Sequence, residues 1–166
     1  KKVLKEIFPH MAYLVMDKDT TWRFKHLIVP SMSNRDDGVT HPRVINWLRH
    51  FGPAKSTPTK KIFITRQDAL TRQLVNQQEL LLALAGFEPI ELSKYTVKEQ
   101  MEIFDSATHV VATHGAGLTN LLWCQHGTKV IEINHIEQIE KKVYPILSSN
   151  CGLLHKVLYG EKIKLN

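Results

Sequence analysis

The sequence predicts an α/β fold: a Rossmann-like parallel sheet with helices on both faces, preceded by a short α+β segment. Three observations predict it. From residue 61 onward, short apolar runs alternate with amphipathic stretches, the pattern of strands joined by crossover helices. One of those runs, Val110-Val-Ala112, leads into Gly115-Ala-Gly117, as a buried strand does when it feeds a helix through a tight turn. Before the alternation begins, Pro53 and Pro58 stand among small polar residues and mark a linker.

Taken in order, residues 1–8 read as the end of a helix stopped by Pro9. Residues 13–16 and 22–29 read as two strands joined by the polar turn Asp17-Lys-Asp19, with Pro30 ending the second. A loop follows over 31–40, and His41-Pro42 opens a helix that runs through Ile45, Trp47 and Leu48 to Gly52. The linker spans 53–59, which divides the chain into a region 1–58 and a Rossmann-like region 59–166. Beyond it the expected order is a strand at 61–65, a helix at 76–85 closed by Gly86, and a strand at 89–92. A helix over 97–107 follows, with Thr96 and Glu99 spaced as a capping box. Then come the strand ending at Ala112, a helix over 118–124, a strand over 129–133, a helix around 137–147 and a short strand near 154–158.

Composition narrows the function. Of 166 residues, 43% are hydrophobic and 23% charged, as in an ordinary globular protein. No apolar run reaches membrane-spanning length and no signal-peptide pattern opens the chain, so a cytoplasmic location is expected, with membrane association a further option. A start at Lys1-Lys2 without methionine reads as a fragment whose upstream part could carry a targeting segment. The net charge of +6 favours an anionic ligand or a membrane surface, although paired lysines at 1–2, 60–61 and 141–142 also fit a solvated rim. Nucleic acid is not expected, because no aromatic-basic motif or basic docking helix is present. Cys124 and Cys151 lack paired spacing and read as buried thiols, and His109, His114, His126 and His135 lack ligand spacing, so no metal is predicted.

In a doubly wound sheet, ligands bind beyond the carboxyl ends of the strands where the strand order reverses. Three groups fall at such ends: Thr65-Arg66 with Arg72, the stretch from His114 to Asn120, and Glu132. In a 2-1-3-4-5 order, Arg66 and the glycine turn border one crevice, and an arginine fork beside unpaired helix-start amides clamps a diphosphate. Glu132 could accept from ribose hydroxyls, and His114 could donate to a phosphate or protonate a leaving group. Each has a plainer alternative: surface ion pairs of Arg66 and Arg72 with Asp68 or Glu79, a carboxylate without a ligand, and a structural histidine.

A larger ordered set of residues also stands out. Ile64-Thr-Arg-Gln-Asp-Ala69 with Arg72, Asn76 and Glu79-Leu80, then Gly86-Phe-Glu88, then Glu99-Gln100 with Phe104 and Ala107, form its middle. His114-Gly-Ala-Gly-Leu-Thr-Asn120 and Gly127-Thr-Lys-Val-Ile-Glu-Ile133 close it, and Asp17 to Trp22, Val29-Pro-Ser31, His41-Pro42 and Trp47-Leu-Arg49 precede it. Together these resemble glycosyltransferase family 61, which includes capsular-polysaccharide enzymes, plant xylosyl- and arabinosyltransferases and secretory-pathway sugar transferases. His126 and Gln77 depart from the family pattern, at positions often held by proline and glutamate.

The resemblance implies an inverting, metal-independent enzyme of the GT-B type, without a cofactor, that uses a nucleotide sugar, commonly UDP-linked. It implies that 59–166 is the C-terminal, donor-binding half and that 1–58 is a remnant of the acceptor-side domain plus linker. Arg66 and Arg72 would contact the diphosphate, His114, Gly115, Ala116, Gly117, Leu118, Thr119 and Asn120 would wrap it, and Glu132 would hold the ribose. Arg66 and His114 would stabilise the departing group, while the catalytic base would lie on the acceptor side, outside these residues. The acceptor would be a glycan or polysaccharide, and a eukaryotic member would work in the secretory lumen. Two rivals remain at this point. One is an NAD(P)-dependent oxidoreductase, since Glu132 follows Gly115 by seventeen residues, though Asn120 stands where a third glycine belongs. The other is a non-catalytic anion-binding module.

Overall fold

A computed structural model of the chain describes residues 9–12, 14–29, 41–66, 74–138 and 142–161. The chain forms two compact units, Lys1–Ser33 and Asn34–Asn166. The expectations for a helix at 1–8 and a loop at 31–40 lie outside the described residues.

In the first unit, the turn at Asp17 forms, with the Asp19 amide donating to Asp17 Oδ1 at 3.0 Å. The two strands expected on either side of it do not, among the described residues. Leu14 is 67% and Ile28 92% exposed, so the alternating apolar residues find no face to bury, and a two-stranded ribbon without one is marginal in water.

The second unit is a five-stranded sheet in the order β2-β1-β3-β4-β5, parallel throughout. Its strands are β1 (Lys60–Ile64), β2 (Glu88–Ile90), β3 (Ala107–Thr113), β4 (Lys129–His135) and β5 (Leu154–Gly160). Ile62 and Ile64 of β1 and Val110 and Ala112 of β3 enter one core with Phe104, Leu118, Leu121 and Ile45. Phe63 and Val111 point the other way and are buried as well, so both faces of the central strands are covered, as a parallel sheet requires.

The helices differ from expectation in length and kind. Helix α1 (Pro42–Arg49) starts at the proline, and Ile45 buries it in the sheet unit, so this helix packs with residues downstream of the linker that was expected to separate them. The linker is itself tied down: the Ser56 amide and hydroxyl both donate to Asp105 Oδ2, at 2.8 and 2.7 Å. Helix α2 (Gln77–Ala83) ends before Gly86, whose φ of +83° suits glycine. Helix α3 (Val97–Asp105) begins with the expected capping box, Thr96 N–H to Glu99 Oε2 at 2.7 Å and Glu99 N–H to Thr96 Oγ1 at 3.3 Å. The helix expected over 137–147 is a 3₁₀ turn (Ile136–Gln138) and helix α4 (Val143–Asn150). From Ala116, between the two glycines, the segment Ala116–Trp123 is 3₁₀ rather than α-helical. Its end is held from outside, because Arg49 donates through Nε to the Leu122 carbonyl at 2.7 Å and through Nη2 to that of Cys124 at 2.8 Å.

Candidate functional site

Where β1 ends, the chain leaves to form β2 on one side and returns as β3 on the other, so the gap between the carboxyl ends of β1 and β3 is the switch point of the sheet. A cleft of about 350 Å³ lies there. Its floor is Ile64 and Thr65 from β1 with Ala112 and Thr113 from β3. Arg66, the next residue after Thr65, forms one wall, and Leu92 and Ser93 of the 3₁₀ turn after β2 form another. Ala116, Gly117, Leu118 and Asn120 close the opposite side.

The glycines make this closeness possible. A methyl group on Gly115 would lie 1.9 Å from Arg66 Nη1, so the guanidinium rests directly on the bare backbone. A methyl on Gly117 would lie 2.9 Å from Leu92 Cδ1, so the second glycine lets the 3₁₀ segment pack against the turn after β2. The first amide of that segment to find an acceptor is Leu118, which donates to the Gly115 carbonyl at 3.0 Å. Among the described residues, no acceptor takes the amides of Gly115, Ala116 or Gly117, the orphan donors that open any helix.

Two further polar atoms stand unpartnered at this cleft among the described residues: Arg66 Nε and Thr113 Oγ1, both buried. Buried donors without partners are rare in folded proteins and require a cause. A bound anion would supply the missing acceptors. Asn120 is oriented rather than free, since its Nδ2 donates to Gln100 Oε1 at 3.0 Å. Gln100 in turn donates to the carbonyls of Leu92 and Tyr95, at 2.9 and 3.1 Å, which locks α3, the 3₁₀ segment and the turn after β2 around the cleft.

Arg66, Ala116, Gly117, Leu118 and Asn120 are therefore brought together as expected, and Gly115 lies beneath Arg66. Arg72 lies outside the described residues. Thr119 is exposed and does not line the cleft. His114 and Glu132 are not in the cleft lining either. Glu132 is 1% exposed, with Oε1 engaged by His114 Nδ1 and Oε2 by His155 Nε2 at 3.0 Å, so the carboxylate is buried with both oxygens held by histidines. The His114 ring also meets Tyr144 edge-on, with centroids 5.2 Å apart.

Sequence reasoning missed Gln100, Thr113, Leu92 and Ser93 as cleft residues. Gln100 carried a signal, since it follows a capping-box glutamate and so falls in the first turn of a helix pointing at the strand ends. Ser148 and His155 carried none, being a helix serine and a strand histidine far apart in sequence from Glu132.

Among the described residues no helix is long and apolar enough to cross a membrane, and no group of three or more potential metal ligands gathers. Compared with protein families, the chain matches the family described as Glycosyltransferase 61 over residues 3–131. No curated protein matches it.

Proposed function

The chain belongs to glycosyltransferase family 61, and on that premise we propose that the cleft at the β1–β3 switch point holds the diphosphate of its nucleotide-sugar donor. Family membership makes it an enzyme that moves a sugar from a nucleotide-sugar donor to a glycan acceptor. The observation that carries the site is Arg66 seated on Gly115, with its buried Nε and the amides of Gly115, Ala116 and Gly117 all without a partner among the described residues.

In the transfer, the bond between the anomeric carbon and the diphosphate oxygen breaks, and its electron pair leaves with the diphosphate. The acceptor hydroxyl oxygen forms the new bond to that carbon from the opposite face, which inverts the configuration, and its proton passes to a general base. Negative charge grows on the leaving diphosphate as the bond lengthens. A guanidinium and fixed N–H dipoles in a partly enclosed cleft stabilise that charge without first reorganising. These donors do the work a divalent cation would otherwise do, so the reaction is read as metal-independent. A UDP-linked donor is the reading the family resemblance favours.

Titration calorimetry of the full chain against UDP and NAD tests the assignment. Binding of UDP with no heat from NAD is expected. Binding of NAD without UDP would return the chain to a dinucleotide oxidoreductase reading.

A further inference from the structure

On the β4 side of the glycine turn, opposite the cleft, four polar side chains form an unbroken buried chain. Ser148 Oγ lies 2.7 Å from His155 Nδ1, His155 Nε2 lies 3.0 Å from Glu132 Oε2, and Glu132 Oε1 meets His114 Nδ1. Ser148 is fully buried and Glu132 is 1% exposed, so the solvent supplies no substitute partners. An ionised carboxylate only accepts hydrogen bonds, so both nitrogens that face it carry hydrogens. As a neutral ring, His114 is then the Nδ1–H tautomer and His155 the Nε2–H tautomer, which leaves His155 Nδ1 to accept from the Ser148 hydroxyl. Every donor in the chain has an acceptor, and donation converges on Glu132 from two sides, from Ser148 through His155 and from His114.

The chain ends on the residue that begins the turn. The His114 amide donates to the Ile133 carbonyl at 2.8 Å while its ring donates to Glu132, so β4 grips His114 by both backbone and side chain. The three amides without an acceptor among the described residues belong to the next three residues.

We propose that Glu132, His155 and Ser148 are positioning residues of the donor site, which hold His114 in one tautomer and so aim the amides of Gly115, Ala116 and Gly117 at the diphosphate. This rests on the diphosphate assignment above. Glu132 has a role in donor binding without touching the donor.

Histidine ¹⁵N spectra of the full chain read the tautomers directly, with Glu132→Gln and His155→Leu used to assign and perturb the signals. Wild type should show His114 protonated at Nδ1 and His155 at Nε2; the reverse pattern on His114 would overturn the proposal. Glu132→Gln keeps the shape but offers one acceptor to two donors, so one histidine should change tautomer and the affinity for UDP should fall about tenfold, the scale on which outer-shell partners act. His155→Leu should weaken UDP binding in the same direction, and His155→Gln, which still donates an N–H to Glu132, should restore it to within about twofold. Absence of UDP binding by wild type would remove the diphosphate assignment and this role with it. Equal UDP affinity of wild type and Glu132→Gln, or of wild type and His155→Leu should Glu132→Gln not fold, would remove this role alone.

Discussion

Arg66 and Gly115 are best understood as one unit. A methyl at residue 115 would fall 1.9 Å from Nη1, which is the far end of a flexible side chain, so the substitution moves the guanidinium rather than unfolding the protein. Arg66→Ala should cost about 2–4 kcal/mol of transition-state stabilisation in the active enzyme, the range for removing one preorganised donor. Gly115→Ala should lose much of the same amount while the midpoint of urea unfolding changes little. Because both changes remove one contact, their effects on UDP affinity should be non-additive, which a double-mutant cycle by calorimetry measures. Full additivity would mean that the arginine does not act from its seat on the glycine.

At the scale of elements, two hydrogen-bond devices hold the walls of the cleft. The Thr96–Glu99 capping box starts α3, the helix that presents Gln100 to Asn120. Thr96→Ala should destabilise the unit by about 1 kcal/mol in denaturant titration. The Thr96 backbone N–H, and then its hydroxyl, hold the Glu99 carboxyl below its ordinary value. A carboxyl depressed in the fold stabilises it above the ordinary carboxylate range, and the contribution is lost as pH falls through the folded value. The difference between wild type and Glu99→Gln should therefore shrink below about pH 4, the ordinary range for this group. Arg49 closes the other end of the 3₁₀ segment with two charge-assisted bonds to carbonyls. Arg49→Ala should cost about 2 kcal/mol, read as a shift in the urea midpoint, because both carbonyls lose a charged donor.

For the molecule as a whole, the core that supports the strand ends also closes off its thiols. Burial pushes the Cys124 thiol far up, with Cys151 adding to the shift and Arg49 opposing it, and Cys124 is only 1% exposed. Neither cysteine should react with a disulfide reagent faster than the protein unfolds, so labelling rates should follow the unfolding rate as denaturant rises. Charge is distributed unevenly as well. Burial, then Lys129 and Lys61, lower the basicity of His109 at the amino ends of the strands, the edge away from the cleft.

Features that depend on neighbours in sequence were legible without coordinates. The capping box, the strand-ending glycines and the run Val110-Val-Ala112 each encode their local geometry, and the alternation of elements led to the parallel sheet and to Arg66 sharing a crevice with the turn. The tertiary structure alone decided what long-range partners impose. It made Ala116–Trp123 a 3₁₀ segment, held at its end by Arg49 from seventy-odd residues away. It left the apolar residues between Leu14 and Val29 without a ladder, since strand pairing needs a face to bury. It also turned Glu132 from an open carboxylate into a buried one with both oxygens engaged. Local backbone preference is written in adjacent residues, whereas the partners of a buried charge are chosen by the packing of strands and helices that meet only once the chain has folded.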